Sequence, residues 1–229
     1  MELIDQGNLK VLASAALVEA LHTAAPTPVL LMLSGGSALS LLEAIPSDVF
    51  DAKLTITMLD ERYSIDPAIS NFAQLEATDF YSRAVAAGAA TISTKVLNDE
   101  TVDALRRRIE CSLYEWRANY RDGIIIATMG VGEDGHTAGI FAGDHGVDFE
   151  SDCWILSYDL PALVSPYSPR ITVSNTFLRH YVNTAIVYAI GENKYRHLKQ
   201  VQSEAVPVRD IPAAILQEMK EVKIFTSRM

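Results

Sequence analysis

Strand-length apolar runs, separated by segments with helical periodicity, are the feature of this sequence that most restricts its fold. The clearest runs are Val29–Leu33, 54–59 and Ile124–Met129. Short runs with few polar residues are typical of strands that are buried on both faces, as in parallel sheets. Their alternation with helical segments predicts an α/β fold in which helices cover a parallel sheet. Further strands are predicted at 154–157, Arg170–Val173, 185–189 and 222–226.

The intervals between these runs carry apolar residues at helical spacing. No internal repeat, low-complexity tract or linker interrupts the pattern, so we expect one domain that spans 1–229. The least regular stretches are 142–151 and 159–169, and the second contains three prolines. Helices are predicted at 8–23, 38–45, 70–87, 100–120 and 192–202.

Composition excludes several classes of function. A formal net charge of −10 argues against general nucleic-acid binding, which requires a basic surface. The sequence contains no run of 18 apolar residues and no signal-peptide pattern, so we expect no membrane contact. Cys111 and Cys153 have no metal-like spacing, which fits a reducing cytoplasm and predicts no metal site.

Three polar clusters follow predicted buried strands, and the carboxyl ends of parallel strands line the ligand crevice. The first cluster, 34–37, contains Gly35, Gly36 and Ser37 before a helix. Backbone N–H groups there can hold an anion, and Ser37 can cap the helix or bind a phosphate. A tight turn with a serine cap explains the same residues equally well. The loop lacks the pattern of a nucleotide-binding P-loop.

The second cluster is 60–62, the sequence Asp-Glu-Arg, which precedes Ser70 and Asn71. Taken alone, three charges at the end of a strand are more simply explained as a solvated turn. Two basic residues elsewhere, Arg170 and Lys194, are placed where an anion could be met, but both could equally be exposed surface charges.

The third cluster, 130–139, has four glycines in ten residues and therefore an unusual backbone path. Within it, Asp134 and His136 are an acid and a base two residues apart. A histidine exchanges protons near neutral pH, and a carboxylate can orient its ring. The other histidines lack such a context and are expected at the surface, namely His22, His145, His180 and His197.

Together the motifs LSGGS, DER, SN, GVGEDGHTAGIF, PRITVS and GENK resemble the 6-phosphogluconolactonase family, which is related to the glucosamine-6-phosphate deaminases. The segment DIPAAIL at 210–216 resembles the family's C-terminal part, so the resemblance covers nearly the whole chain. It implies a Rossmann-like parallel sheet. The implied function is hydrolysis of 6-phosphogluconolactone in the pentose phosphate pathway.

The resemblance also implies roles for individual residues. Gly35, Gly36 and Ser37 would hold the phosphate, with Arg170 and Lys194 as counter-charges. Asp60 and Arg62 would contact the substrate or organise the pocket. Asp134 would orient His136, the general base that activates water. The expected ligand is a sugar-phosphate lactone, without a cofactor or metal, and both a monomer and a dimer remain open.

Three positions depart from the family pattern. Glu76 replaces a basic residue, Gly139 replaces a serine and Ala142 replaces a proline. We interpret them as divergence within an active family. The main alternative function is an amino-sugar phosphate deaminase, but the segment after His136 lacks the Asn and Glu of that branch. A non-catalytic sugar-phosphate sensor is the third hypothesis.

Overall fold

The computed structural model describes residues 1–143, 145 and 147–228, so residues 144 and 146 of the predicted irregular stretch 142–151 lie outside the described part, as does residue 229. The strands are β1 (Glu2–Ile4), β2 (Val29–Leu33), β3 (Leu54–Met58), β4 (Asp60–Arg62), β5 (Ala90–Thr91), β6 (Ile124–Met129), β7 (Ile155–Tyr158), β8 (Arg170–Val173), β9 (Thr184–Ile190) and β10 (Glu221–Ser227). The α-helices are α1 (Leu9–Ala24), α2 (Asn71–Glu76), α3 (Asp79–Ala86), α4 (Val102–Asn119), α5 (Asn175–Tyr181) and α6 (Glu192–Ser203). The 3₁₀ helices are Gly36–Ala44, Ser47–Val49 and Pro212–Gln217.

The main sheet confirms the predicted fold class. Its strand order is β1-β10-β9-β6-β2-β3-β5, and every neighbouring pair is parallel. Alternate residues of a strand point to opposite faces. Leu31 and Leu33 of β2 accordingly pack into the core on one face, whereas Leu30 and Met32 pack into the core on the other. The carboxyl ends of β2, β3, β6 and β9 therefore lie along the same edge.

A second sheet corrects the prediction that 154–157 and Arg170–Val173 join the parallel sheet. These strands, with β4, form an antiparallel sheet of order β4-β8-β7. Leu59 links the two sheets, because its N–H donates to Leu33 O at 2.8 Å and its carbonyl accepts from Val173 N at 3.1 Å. The charged segment 60–62 is thus a paired strand and not a solvated turn.

The helices differ from the prediction in type and continuity. The predicted helix 38–45 is the 3₁₀ helix Gly36–Ala44. The predicted helix 70–87 is divided into α2 and α3, because the Thr78 hydroxyl accepts from Tyr81 N and begins a new helix. The short β1 and the seven-residue α5 are absent from the prediction. Within the described part of the chain, no helix combines the length and apolar content that crossing a bilayer would need.

Candidate active site

A cavity of about 530 Å³ opens at the carboxyl edge of the main sheet. Its walls come from loops that follow β2, β6 and β9 and from the small antiparallel sheet. The structure brings all nine residues that the sequence singled out to this cavity, namely Gly35, Gly36, Ser37, Asp60, Arg62, Asp134, His136, Arg170 and Lys194. Other lining residues were not singled out as site residues, among them Asn71, Phe141, Ser165 and Tyr167.

The loop after β2 presents backbone to the cavity. A Cβ at Gly35 would lie 2.3 Å from Asn71 Oδ1, so only glycine permits this close approach. Gly36 has a φ of 67°, and the 3₁₀ helix that starts there has no side-chain cap. Ser37 therefore lies inside the first turn and does not cap the helix. Uncapped N–H groups at a helix start favour an anion.

Glu61 joins β4 to the start of α2. Its carboxylate is buried and accepts hydrogen bonds from the backbone N–H groups of Asn71 at 2.6 Å and Phe72 at 2.8 Å. Burial raises the pKa of Glu61, and these donated hydrogen bonds oppose that shift. Because residues two apart on a strand share a face, Asp60 and Arg62 project together on the side opposite to Glu61.

Arg170 and Asp60 form a buried ion pair across β4 and β8. Arg170 Nη1 lies 3.2 Å from Asp60 Oδ2, and the two side chains are only 7% and 8% exposed. Arg170 Nη2 also donates to Ser165 Oγ at 3.1 Å. Burial lowers the pKa of Arg170, while the charge of Asp60 raises it. The geometry holds the guanidinium at the cavity wall.

Arg62 and Lys194 complete the positive groups of the cavity. Arg62 Nη1 donates to Ile69 O at 3.0 Å, and its Cζ lies 5.4 Å from the centre of the Tyr167 ring. Lys194 lies in the first turn of α6, directly after β9. Within the described chain, neither side chain forms an ion pair with a carboxylate. Their charges are therefore available to an anionic ligand.

His136 and Asp134 are joined in the glycine-rich loop after β6. His136 Nδ1 lies 2.6 Å from Asp134 Oδ1, and the backbone N–H of His136 donates to the same oxygen at 3.2 Å. Partial burial raises the pKa of Asp134, but the hydrogen bond and the charge of His136 outweigh it and lower the pKa to about 2. A Cβ at Gly132 would lie 2.1 Å from His136 Nδ1, so this pairing needs glycine there.

The residues that depart from the family pattern have distinct surroundings. Gly139 has a φ of 68°, and a Cβ there would lie 2.8 Å from Asp60 Oδ2. Glycine at this position is therefore compatible with the Asp60 side chain, whereas serine would strain the turn. Glu76 pairs with Lys95 Nζ at 2.7 Å and lies outside the cavity lining. Nothing in the structure explains Ala142.

The other histidines lie away from the cavity lining. His22 and His180 are exposed, as the sequence predicts. His145 and His197 differ from that expectation because both are half-buried. His197 lies behind the glycine-rich loop, with Nε2 3.1 Å from Glu133 O. Within the described residues, no group of three or more His, Cys, Asp or Glu side chains is arranged to hold a metal ion.

The fold and cavity define a class: a parallel α/β protein whose strand ends carry a glycine loop with uncapped N–H groups and a hydrogen-bonded Asp–His pair. The family model described as glucosamine-6-phosphate isomerases/6-phosphogluconolactonase matches residues 5–225. The chain belongs to this family. A search of curated protein sequences gives no significant match.

Solved structures with similar folds include members of both branches. A 6-phosphogluconolactonase from Shewanella baltica has a TM-score of 0.76 at 22% identity, over 99% of this chain and 96% of that chain. A 6-phosphogluconolactonase from Trypanosoma brucei has a TM-score of 0.76 at 17% identity, with the same coverage. A monomeric glucosamine-6-phosphate deaminase has a TM-score of 0.73 at 17% identity, over 100% and 98%. At these identities the likeness shows the fold alone.

Proposed function

We propose that this chain hydrolyses 6-phosphogluconolactone to 6-phosphogluconate in the cytoplasm, as a step of the oxidative pentose phosphate pathway. The observation that carries the proposal is the His136–Asp134 pair, 2.6 Å apart, in the same cavity as the uncapped Gly35–Gly36 loop. In this proposal His136 is the proton acceptor, and the Gly35–Gly36 loop of the same cavity holds the anionic group of the substrate. Family membership and the lactonases among the similar structures support the same activity.

The phosphate is held by backbone and cations in this proposal. The N–H groups of Gly35 and Gly36 and the hydroxyl of Ser37 would donate to its oxygens. Lys194 supplies a counter-charge that has no carboxylate partner in the described chain. Arg170 supplies the second charge from the cavity wall, where Asp60 fixes its direction. The phosphate then places the lactone ring at a fixed distance from its anchor.

His136 acts on the water molecule in this mechanism. Asp134 occupies Nδ1, which leaves Nε2 to accept a proton as the water oxygen attacks the lactone carbonyl. Asp134 stabilises the imidazolium that forms. Arg62 stabilises the negative charge on the tetrahedral intermediate. When the intermediate collapses, the bond between the carbonyl carbon and the ring oxygen breaks, and the ring oxygen takes the proton from His136.

The experiment that tests this function uses freshly prepared lactone and a coupled 6-phosphogluconate dehydrogenase assay. We expect turnover well above spontaneous hydrolysis and a loss of roughly 10²–10⁴-fold in His136→Ala, because general acid–base catalysis contributes that much. His180→Ala is the matched control, since His180 is exposed on α5 and outside the cavity. It should keep the wild-type rate.

Two outcomes would contradict the proposal. Ammonia release from glucosamine 6-phosphate without lactone hydrolysis would assign the chain to the deaminase branch. Binding of 6-phosphogluconate by folded wild-type protein without turnover of either substrate would make it a sensor. The segment 137–142 lacks the Asn and Glu expected of a deaminase, which favours the lactonase.

A further inference from the structure

The ring of His136 stacks on the ring of Phe141. The two ring centres are 4.2 Å apart and the planes differ by 22°, which is a stacked arrangement. Phe141 lines the cavity but is only 4% exposed, so most of its surface is packed against protein. The contact brings a buried aromatic face against the proposed general base.

A tight turn at 137–140 brings Phe141 next to His136, five residues before it in the chain. Ile140 N donates to Thr137 O at 2.8 Å, and the two residues between them, Ala138 and Gly139, both have positive φ, of 47° and 68°. Positive φ at both central residues is the pattern of a type I′ turn. The path of the backbone therefore determines that position 141 faces position 136.

Other residues hold the Phe141 ring in place. It packs in a small apolar cluster with Tyr158 and Leu160. The hydroxyl of Tyr158 donates to Gly139 O, which ties the small sheet to the turn. Arg170 Cζ lies 5.2 Å from the centre of the Phe141 ring, and Arg170 is itself fixed by Asp60. The ring thus has support from β7, β8 and the ion pair.

We propose that Phe141 is a positioning residue that fixes the plane of the His136 ring; this inference rests on the proposed function. A single hydrogen bond from Nδ1 to Asp134 holds one point of the imidazole but permits the ring to tilt about that bond. Stacking on Phe141 removes this freedom, so that Nε2 keeps one direction towards the cavity. Reaction rates are sensitive to such tilts, because a misplacement of about 1 Å can cost about 10²-fold.

The test compares three variants with wild-type protein. Phe141→Leu keeps apolar volume but removes the flat face, and Phe141→Tyr keeps the ring. Phe80→Leu is the matched control, because Phe80 is also buried, at 2% exposure, and packs against Phe50 away from the cavity. For Phe141→Leu we expect kcat to fall roughly 10-fold to 100-fold while KM changes less than about threefold. Phe141→Tyr should keep most of the wild-type kcat, because it keeps the ring, and Phe80→Leu should keep the wild-type value.

A second measurement needs no substrate. NMR of histidine-labelled protein should show one His136 tautomer with its proton on Nδ1 in wild-type protein and in Phe80→Leu. In Phe141→Leu we expect this proton to exchange with water faster and its signal to broaden. Gly132→Ala should give the same change, since its Cβ would displace Nδ1.

The two measurements separate failure of this inference from failure of the proposed function. If wild-type protein has no lactonase activity, the proposed function is wrong, and the NMR comparison alone decides whether Phe141 orients His136. An unchanged His136 signal in Phe141→Leu overturns the inference whether or not kcat falls, because a fall in kcat would then have another cause. The inference is also overturned if the Nδ1 proton signal of His136 broadens equally in Phe80→Leu, because the change would then not depend on the stacking contact.

Discussion

The two sheets of this molecule differ in whether they bury charged side chains. All five residues of β2 in the main sheet are apolar and buried. In the small sheet, β4 and β8 instead bury Asp60, Glu61 and Arg170. A buried ion pair is weak support for stability, because desolvation of the charges offsets their attraction. Both sheets contribute apolar residues to the core, but the small sheet also holds buried charges at the cavity wall.

Breaking the ion pair in the small sheet should destabilise the protein more than any other change considered below. Asp60→Ala leaves the Arg170 charge buried without its carboxylate, so we expect a loss of about 3–5 kcal/mol in the free energy of unfolding. Urea denaturation followed by circular dichroism measures it.

A second substitution tests whether the unpaired charge of Arg170 causes this loss of stability. Arg170→Met added to Asp60→Ala removes the stranded charge, and most of the lost stability should return because an apolar side chain carries no desolvation cost. Affinity for 6-phosphogluconate should not return, since Arg170 is proposed to bind the phosphate. If the double variant is no more stable than Asp60→Ala, the loss of stability does not come from the unpaired charge of Arg170, and this explanation is wrong.

A smaller effect is expected from trimming the main sheet. Ile56 on β3 is fully buried, so Ile56→Val should lower the free energy of unfolding by about 0.5–1.5 kcal/mol. The same denaturation experiment measures it. Because Ile56 is outside the cavity lining, kcat and KM for the lactone should stay at wild-type values. A change in KM would show that packing in the main sheet and the geometry of the cavity are not separable.

The same contrast explains which parts of the structure the sequence predicts. Val29–Leu33 and Ile124–Met129 are strands as predicted, because a run of apolar residues records burial on both faces. The segment 60–62 gives no such signal, since its charges are buried through partners that come from distant parts of the chain. The strands Arg170–Val173 and 154–157 were recognisable as strands, but local pattern does not determine the sheet to which a strand belongs.

The cavity shows the same division. Glycines and charged residues after the strands pointed to part of the lining, because parallel strand ends meet at one edge. Arg170 and Lys194 were expected there mainly from the family resemblance. The pairing of Asp60 with Arg170 joins residues 110 positions apart, and no local motif indicates it. Phe141 ends the motif GVGEDGHTAGIF, but an apolar residue after a turn does not show that it will stack on a histidine. Tertiary pairing is what the sequence leaves undetermined.

The change in stability should be smallest for Asp134, in the glycine-rich loop after β6. Asp134 has its pKa lowered from 3.8 to about 2 by His136, in opposition to its partial burial. A carboxyl whose pKa is lower in the folded state binds protons more weakly there than when unfolded, so its contribution to stability is present above pH 3.8 and is lost as the pH falls towards about 2. The effect is modest because the Asp134 side chain is 53% exposed and therefore screened by solvent.

Urea midpoints of wild-type protein and Asp134→Asn, measured between pH 6 and pH 2, test this assignment. The variant has no carboxyl group at position 134 to protonate. The difference between the two midpoints should therefore be constant at the higher pH values and shrink as the pH falls from 3.8 towards about 2. Glu115→Gln removes one exposed acidic charge from α4 and controls for net charge. If the difference for Asp134→Asn follows that of Glu115→Gln at every pH, the bond to His136 does not stabilise the fold. The charge pair of the glycine-rich loop would then, like the buried pair of the small sheet, give weak support to stability.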